Sequence, residues 1–549
     1  MMNFRSYSTS FAILLVLSPL LSTGDATEKP NIIFILADDL GFNDVGFRGA
    51  NDIQTPNIDA LAYSGVILHN YYVTPICTPS RSALMTGKYP IHTGMQHTVL
   101  FGAEPRGLPL TEKILPQYLE DLGYVNHIVG KWHLGSYKKE YTPLYRGFKS
   151  HLGKHGTKCF WTGHQDYFDH TAVERPGWGL DMRRNMSVAY DLHGQYSTDL
   201  FGREAATIIE HHDTSTPLFL YLAHAAVHSG NPYNPLPAHD DKVEKFRHIG
   251  NYQRQRFAGM LSSLDDSVGT VIRALQSRDM LRDSIVIFST DNGGPASGFN
   301  LNAASNWPLR GVKNTLWEGG VRGAGLIWSP IIKRRSRLYQ GIMHIVDWLP
   351  TLLEAAGTPT SDIKNLDGMS MWRSITEDVN SGRTEILHNI DDIFGNAALS
   401  SNGWKITKGA TYDGIWDYWY GPDGRNHTYN VSSVGNSAVG QVLRDLNMST
   451  SSQKIEELRR AANVVCNVTE EAEVVCKPLE RPCLFHIETD PCEKVNLADK
   501  YPEKLQQLLD ILERYNRTAL PPENLPLDPR GDPKYWNYVF TNFGDYTDK

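Results

Sequence analysis

The chain has 549 residues, more than one ordinary domain holds, so we expect at least two domains and a large hydrophobic core. Hydrophobic residues make up 41% of the chain and charged residues 21%, which is a globular composition. The formal net charge of −8 leaves no overall basic character of the kind that nucleic-acid-binding proteins carry, so no nucleic-acid partner is expected.

The N-terminal segment has the pattern of a secretory signal peptide. Arg5 precedes an apolar run over residues 11–21, and small residues follow at 22–24. We interpret residues 1–24 as a signal peptide, with a buried hydrophobic helix as the alternative, and the run is too short to predict a membrane span. No later stretch reaches that length, so no membrane span is expected in the mature chain.

Six N-x-S/T sequons agree with passage through the secretory pathway. Their asparagines are Asn185, Asn426, Asn430, Asn447, Asn467 and Asn516. Five of them lie beyond residue 420, which predicts an exposed C-terminal surface. Lysosomal and extracellular locations are both compatible with this pattern.

The six cysteines divide into a cluster and a remainder. The cluster consists of Cys466, Cys476, Cys483 and Cys492. Disulfides between nearest neighbours are expected there, although the spacing does not fix the pairing. Cys77 and Cys159 remain, and a disulfide between these two is one interpretation of Cys77.

Four mostly apolar runs predict strands of a parallel sheet that helices cover on both faces. They are residues 31–37, 127–130, 217–223 and 284–289. Polar residues stand just beyond the carboxyl end of each run: Asp38 and Asp39, Lys131 and His133, His224 and His228, and Asp291 and Asn292. Because ligands of open α/β sheets bind beyond the carboxyl ends of the strands, the four strand ends offer polar groups to one possible site. His224 has less support than the others and is interpreted as a structural residue or as one at the rim of the substrate site.

The composition and the predicted secondary structure of the sequence change at about residue 395. Helical patterns occur on both sides of this point, at residues 57–64, 261–276, 452–462 and 503–515. Residues 403–424 are rich in Trp, Tyr, Asp and Gly and predict short strands and loops. We therefore predict an α/β domain over residues 27–395 that carries the site, and a smaller α+β domain with a small antiparallel sheet over residues 396–549.

The segment that begins at Cys77 predicts a helix start that favours an anion. Thr78 can cap a helix and Pro79 suits the first helical position, which puts Cys77 at the helix N-terminus. Amide dipoles there favour negative charge. Arg81 lies one turn along the helix and can reach back toward Cys77. An anionic nucleophile or a bound oxyanion is therefore expected at Cys77.

Cys77-Thr-Pro-Ser-Arg81-Ser-Ala-Leu-Met-Thr-Gly87 resembles the signature C-x-P-S-R-x-x-x-x-T-G of the type I sulfatase family. The segments 123–133, 37–46 and 316–322 extend the resemblance over most of the chain, and it is closest to the arylsulfatase B group. The resemblance implies an alkaline-phosphatase-like α/β fold with a large, mixed but mainly parallel sheet between helices. It also implies that the formylglycine-generating enzyme converts Cys77 to Cα-formylglycine in the endoplasmic reticulum.

The resemblance assigns roles to the polar residues at the strand ends. Those that match the family's metal ligands are Asp38, Asp39, Asp291 and Asn292, with Cys77 as formylglycine. Those that match its polar active-site residues are Arg81, Lys131, His133, His228 and Lys313. Hard cations prefer oxygen ligands, so one Ca²⁺ ion is expected rather than zinc. Three carboxylates without a cation would repel one another.

The mechanism implied by the resemblance uses the hydrate of formylglycine. One hydroxyl attacks sulfur, the ester bond breaks and a covalent sulfate forms; the second hydroxyl then expels sulfate and restores the aldehyde. His133 would assist the hydrate, and His228 and Lys313 would protonate or polarise the leaving oxygen. The metal, Arg81, Lys131 and Lys313 would stabilise the negative charge of the transition state.

Two departures from arylsulfatase B-like proteins concern the substrate end of the site. Residues 100–109 lack the cysteines that are usual there, and residues 151–186 diverge. A sulfated saccharide of the N-acetylgalactosamine sulfate type is therefore one expected substrate, and a small ester such as an aryl sulfate or a glucosinolate is the other. A non-catalytic sulfatase-like glycoprotein and a two-zinc phosphatase of the same superfamily are weaker alternatives.

Overall fold

The structure is a computed structural model that describes residues 2, 29–154, 168–169, 177–230, 234–361, 363–469 and 472–547. The predicted signal peptide, apart from Met2, lies outside these described residues, and so does Cys159.

A ten-stranded sheet forms the centre of the molecule. Its strands in chain order are β1 (Asn31–Ala37), β2 (Val66–Tyr72), β3 (Val125–Lys131), β4 (Ser150–Lys154), β7 (Arg183–Arg184), β8 (Ser187–Val188), β9 (Leu218–Ala223), β10 (Ser284–Thr290), β11 (Gly325–Trp328) and β12 (Arg337–His344), while β5 (Phe168–Asp169) and β6 (Gly177–Trp178) pair with each other. The order across the large sheet is β12-β2-β11-β10-β1-β9-β3-β4-β7-β8. The pairs from β10 through β1, β9 and β3 to β4 are parallel, whereas β11 is antiparallel to both of its neighbours. The predicted mixed, mainly parallel sheet is confirmed.

Helices cover both faces of this sheet. They are α1 (Pro56–Ser64), α2 (Cys77–Thr86), α3 (Leu115–Asp121), α4 (Ser197–His211), α5 (Asp240–Glu244), α6 (Tyr252–Ser277), α7 (Glu318–Val321), α8 (Trp348–Ala355) and α9 (Trp372–Glu377). Ile33 and Ile35 of β1 face a core shared with α1, α4 and α6, whereas Ile32 and Phe34 face a second core shared with α2, α3 and α8. This is why the strand sequence is apolar at successive positions rather than at alternate ones.

A four-stranded antiparallel sheet follows in the chain, as predicted. It consists of β13 (Glu385–Asp391), β14 (Asn396–Ser401), β15 (Trp404–Lys408) and β16 (Cys483–His486) in that order. The later helices are α10 (Val431–Asn436), α11 (Ala438–Asp445), α12 (Ser452–Ala462), α13 (Pro502–Asn516) and α14 (Gly544–Thr547). β13 precedes residue 395, so this sheet takes one strand from the predicted first domain; the domain boundary itself stays a prediction.

The cysteines of the C-terminal cluster form nested disulfides. Cys466 pairs with Cys492, and Cys476 pairs with Cys483. The expected succession of nearest neighbours is therefore wrong for the outer pair, because residues 466 and 492 are brought together around the short loop that ends at β16. Cys77 is a free, buried cysteine.

The sequon asparagines share one property, which is that all six are exposed. Within the described part of the chain, no helix is both long enough and apolar enough to cross a membrane.

Candidate active site

Four parallel strands end side by side, and each end carries polar residues predicted for the site. β10, β1, β9 and β3 are adjacent in that order. Asp291 and Asn292 follow β10, Asp38 and Asp39 follow β1, His228 lies beyond β9, and Lys131 and His133 lie at the end of β3. The structure brings these seven residues together with Cys77, Arg81 and Lys313. His224 instead hydrogen-bonds Ser267 of α6 over 3.0 Å and contributes to helix–sheet packing.

Cys77 is the first residue of α2 and lies at the inner end of the site. Its side chain is 2% exposed, and its Sγ lies 3.6 Å from Asp38 Oδ1. Burial raises the pKa of the Cys77 thiol to about 12, although Lys131 and Lys313 act in the opposite direction. The unmodified side chain is therefore a protonated thiol near neutral pH and a poor nucleophile.

The helix start differs in detail from the prediction. α2 begins at Cys77, so Pro79 is its third residue rather than its first. Thr78 does not cap the helix: its hydroxyl donates to the carbonyl of His133 over 3.2 Å and accepts from the amide of Leu100 over 3.1 Å. Thr78 thus ties the start of α2 to the two loops that flank the site.

Arg81 binds a carboxylate rather than reaching back to Cys77. Its Nη2 and Nε donate to Asp291 Oδ2 over 2.8 and 3.2 Å, and its Nη1 donates to the carbonyl of Lys131 over 3.0 Å. Burial would lower the pKa of Arg81, but Asp291 and Asp38 outweigh it and raise that pKa. The guanidinium is a fixed positive charge behind the carboxylates.

Lys131 forms a buried ion pair with Asp38. Its Nζ lies 2.6 Å from Asp38 Oδ2, and both side chains are almost fully buried. Burial would raise the pKa of Asp38, but Lys131, His228, Arg81 and Lys313 outweigh it and hold that pKa well below 3.8. Asp38 is therefore ionised over the whole physiological pH range.

Lys313 makes the corresponding contact on the other side of the site. Its Nζ donates to Asp39 Oδ2 over 2.8 Å and to His228 Nε2 over 3.2 Å. His228 Nδ1 donates to the carbonyl of Ser229 over 2.8 Å, which fixes the neutral tautomer. Burial lowers the pKa of His228 to about 4, with Asp39 opposing and Lys313 reinforcing the shift.

His133 lines the same cavity as Lys313. β3 ends at Lys131 and His133 has a φ of 61°, so the backbone leaves the extended conformation of the strand here. His133 Nε2 donates to the carbonyl of Leu100 over 3.0 Å, while its buried Nδ1 has no hydrogen-bond partner among the described residues. Burial, reinforced by Lys131 and Arg81, holds the pKa of His133 well below 6.5. The ring is a neutral base with one available nitrogen.

The strand ends also form a set of ligands for a cation. Donor atoms of Asp38, Asp39, Cys77 and His228 lie within 4.8 Å of one another. Asn292 Nδ2 donates to Asp39 Oδ1 over 2.7 Å, and its buried Oδ1 has no hydrogen-bond partner among the described residues. Two carboxylates and an unsatisfied amide oxygen fit a hard cation. His228 is the less suitable ligand, because its Nε2 accepts from Lys313.

Asp291 is committed to other contacts. Its Oδ2 accepts from Arg81, and its Oδ1 accepts the backbone N–H of Asp39 over 3.1 Å. Burial and the charge of Asp38 raise the pKa of Asp291 to about 7, against Arg81 and Lys131. A divalent cation close by would lower the pKa of Asp291 and so favour its ionised form.

A cavity of about 110 Å³ opens onto these groups. Its lining includes four of the predicted residues, Cys77, His133, His228 and Lys313. The sequence did not single out the others that enclose it, among them Thr98, Phe299, Asn300, Asn314 and Tyr412. Tyr412 belongs to the aromatic stretch at 403–424, and the composition of that stretch was the only feature of the sequence that could have indicated Tyr412. A larger cleft of about 780 Å³, beside Arg254 and His427, contains none of the predicted site residues.

The comparisons with known proteins agree with this geometry. The family model described as "Sulfatase" matches residues 30–358, which is more than half of the chain. The chain belongs to the sulfatase family. Sulfatases are sulfuric ester hydrolases, so this is the enzyme class of the protein.

Similar sulfatases cover much of the chain. Arylsulfatase J of Mus musculus is 39% identical over 516 residues, which are 92% of this chain and 79% of that protein. N-acetylgalactosamine-6-sulfatase of Homo sapiens is 32% identical over 378 residues, which are 65% of this chain and 68% of that one. The solved structure "Crystal structure of Ps i-CgsB in complex with k-i-k-neocarrahexaose" has a TM-score of 0.68 at 26% identity and covers 91% of this chain and 96% of its own. Closeness to arylsulfatase B stays a prediction.

Proposed function

We propose that this sulfatase removes sulfate from a sulfated sugar of the N-acetylgalactosamine sulfate type, using a formylglycine made from Cys77 and one Ca²⁺ ion. The observation that carries the proposal is the enclosure of Cys77 in one small cavity with Lys313, His133 and His228. These groups surround a space of about 110 Å³, which suits a compact oxyanion better than a large ligand.

The charges of the site favour a sulfate ester when a cation is bound. Three buried cations, Arg81, Lys131 and Lys313, stand against the carboxyl groups of Asp38, Asp39 and Asp291. A divalent ion would therefore give the site a net positive charge, which an anionic ester can neutralise. When bound by Asp38, Asp39, Asn292 and the modified residue 77, with Asp291 as the further predicted ligand, Ca²⁺ would polarise the sulfate oxygens.

The side chains divide the proton transfers between them. The hydrate of a formylglycine at position 77 would supply the hydroxyl that attacks sulfur. Neutral His133 can accept a proton through Nδ1, which has no partner among the described residues. The ammonium group of Lys313 hydrogen-bonds His228, and this pair can donate a proton toward the leaving oxygen. Lys131 and Arg81 keep Asp38 and Asp291 in place.

The choice of a sugar rests on relatives. N-acetylgalactosamine-6-sulfatase is among them, and the i-CgsB structure holds a neocarrahexaose. The second candidate is a small ester such as an aryl sulfate or a glucosinolate, which the similarity to arylsulfatase J favours. A non-catalytic role is disfavoured because every side chain that the chemistry needs is present and directed into one cluster.

The proposed setting is the secretory pathway, with a lysosomal or extracellular destination. Two disulfides and six exposed sequon asparagines support it. The formylglycine-generating enzyme would act on Cys77 during maturation in that pathway.

The test is release of inorganic sulfate from a panel of sulfated disaccharides, aryl sulfates and glucosinolates. We expect the sulfated N-acetylgalactosamine substrates to have the highest kcat/KM and Cys77→Ala to abolish turnover. Mass spectrometry of the peptide that contains Cys77 should detect the aldehyde. Full activity of a protein whose residue 77 is entirely thiol, or of Cys77→Ala, would overturn the proposal.

A further inference from the structure

The lining of the catalytic cavity includes three aromatic residues, Phe101, Phe299 and Tyr412, of which Tyr412 is the most exposed. Phe299 and Tyr412 line the same space as Cys77 and Lys313. Phe299 is 6% exposed whereas Tyr412 is 42% exposed, and their ring centroids are 5.7 Å apart at an interplanar angle of 59°. The cavity therefore has a charged inner end and an aromatic mouth, with Tyr412 as the ring that solvent and ligands can reach.

Hydrogen bonds fix Tyr412 relative to the catalytic lysine. The phenol oxygen accepts from Asn314 Nδ2 over 2.8 Å, and Asn314 is the residue after Lys313. The hydroxyl of Thr411 donates to the carbonyl of Asn314 over 2.8 Å. The ring is thus held by both ends at a set position beside Lys313, as a binding surface must be.

Further rings support the mouth from behind. Trp416 packs edge-on against Phe299 with centroids 4.9 Å apart, and Phe394 lies 6.2 Å from Tyr412. These contacts restrict the rings of Phe299 and Tyr412 and leave the exposed part of Tyr412 facing outward. A ring that binds a ligand loses less conformational entropy when its neighbours already restrict it.

Both loops at the mouth have an unfavourable backbone conformation. Tyr412 and Asp413 have φ values of 51° and 52°, and Asn300 and Leu301 have 52° and 57°. Left-handed φ is rare for residues other than glycine, above all for bulky ones such as tyrosine. Strain of this kind accumulates at ligand-binding sites. Packing alone does not explain it, because Tyr412 is nearly half exposed.

The size of the cavity determines where the rest of a substrate lies. A space of about 110 Å³ is smaller than the roughly 300–1,000 Å³ of sites that enclose a whole ligand. The sulfate group and its ester oxygen fill the charged inner end. The ring that carries the ester must therefore lie at the mouth, against Tyr412, where an aromatic face matches the nonpolar C–H face of a pyranose.

We infer that Tyr412, supported by Phe299, binds the sugar ring that bears the sulfate and so determines which sulfate esters this enzyme accepts. The inference rests on the proposed function, because it takes the sulfate to occupy the cavity beside Cys77. It makes a residue beyond position 395 part of the substrate site.

The first experiment separates binding of the ring from binding of sulfate. Tyr412→Ala is expected to raise KM for a sulfated N-acetylgalactosamine about tenfold, the equivalent of about 1.4 kcal/mol, while the inhibition constant of inorganic sulfate and kcat change less than about threefold. Tyr412→Phe keeps the ring and should recover most of the affinity. Tyr418→Ala is the matched control, because Tyr418 is a 62% exposed tyrosine of the same loop that does not line the cavity.

The second experiment measures binding without turnover. Calorimetric titration of Cys77→Ala with the sulfated monosaccharide should lose about tenfold in affinity when Tyr412→Ala is added, with inorganic sulfate as the reference ligand. If the wild type releases no sulfate but this loss is seen, the proposed function fails and the ring site stands. Unchanged KM and affinity in Tyr412→Ala, an equal loss of sulfate affinity, or no binding of any cyclic sulfate would overturn the inference.

Discussion

Lys313 donates a hydrogen bond to Nε2 of His228 over 3.2 Å, and both side chains are buried at the catalytic cavity. The imidazole is neutral, since its Nδ1 is the donor to Ser229 and burial lowers its pKa to about 4. Lys313 keeps its proton, because Asp39 outweighs the effect of burial and raises the lysine pKa. The pair therefore combines an ammonium group with a neutral histidine, and in the proposed function it would face the leaving oxygen of a bound ester.

Replacement of Lys313 should greatly reduce activity. Lys313→Met removes the ammonium group. For the best substrate of the panel, kcat/KM should therefore fall by about 100-fold or more. Because the proposed proton donation uses the two residues as one hydrogen-bonded unit, Lys313→Met combined with His228→Ala should lower kcat/KM little more than the larger single effect does. Steady-state kinetics of the four proteins give the coupling, with the exposed Lys333→Met as control. Strictly additive losses would show that the two residues act separately.

Calcium should stabilise the fold as well as support activity. Asp38 and Asp39 are buried with Asn292 Oδ1 directed at no described partner, so a bound cation would relieve both repulsion and desolvation. After chelation, added Ca²⁺ should raise Tm and the free energy of unfolding, by about 2.7 kcal/mol at a hundred times Kd, and restore sulfate release. Asp39→Asn should abolish this response, whereas Asp445→Asn, at an exposed site, should preserve it. An identical Ca²⁺ response in Asp39→Asn would exclude this site.

Asp59 should make the protein less stable as the pH rises. Burial, opposed by hydrogen bonds from Tyr429, Thr55 and Phe47, raises the pKa of Asp59 from 3.8 to about 6. The folded chain then holds this proton more tightly than the unfolded chain does. The contribution is complete below about pH 4 and is lost as the pH rises through 6, by about 3 kcal/mol at most.

Urea unfolding at pH 4, 5, 6 and 7 would measure this dependence. Asp59→Asn should flatten the part of the stability curve between pH 4 and 6, and Asp445→Asn should leave it as it is. A wild-type curve that rises over this interval, with the same slope in Asp59→Asn, would contradict the assignment.

A buried lysine joins the four-stranded sheet to α7. Nζ of Lys405, on β15, lies 3.0 Å from Glu318 of α7 and 2.8 Å from Glu493, and all three side chains are fully buried. Lys405→Met would remove the cation beside Glu493 and leave Glu318 with Arg322, 3.7 Å away, and should destabilise the protein by about 3–5 kcal/mol. Lys408→Met, on the exposed side of the same strand, should change stability by less than about 0.5 kcal/mol. Equal Tm values for the two variants would show that the lysine is dispensable.

The parts of the site on the strand ends could be predicted because their signal is local. A strand buried on both faces is a continuous apolar run, and its carboxyl end is marked by the first polar residues, as Asp38 and Asp39 mark β1. Parallel pairing then places such ends together without further information. The signature at Cys77 supplied the remaining chemistry.

Other contacts depend on the chain's path through space. The helix position suggested that Arg81 reaches back toward Cys77, whereas its partner in the structure is Asp291, which lies 210 residues away in the chain. The outer disulfide of Cys466 required knowledge of how the loop before β16 folds back. Tyr412 was indistinguishable from its aromatic neighbours, because contacts between segments distant in the chain, such as that of Asn314 with its hydroxyl, place it at the cavity.

The ion triad around Lys405 has a bearing on how this enzyme can be shortened or transplanted. A version that stops near residue 395 would lose Lys405 and Tyr412 together, so it would leave Glu318 buried without that counter-charge and the cavity without one wall. The C-terminal third is therefore an integral subassembly of the catalyst and no appendage to it. In chimaeras between related enzymes, the 316–320 segment, β15 and the 411–420 loop should therefore be taken together from the same parent.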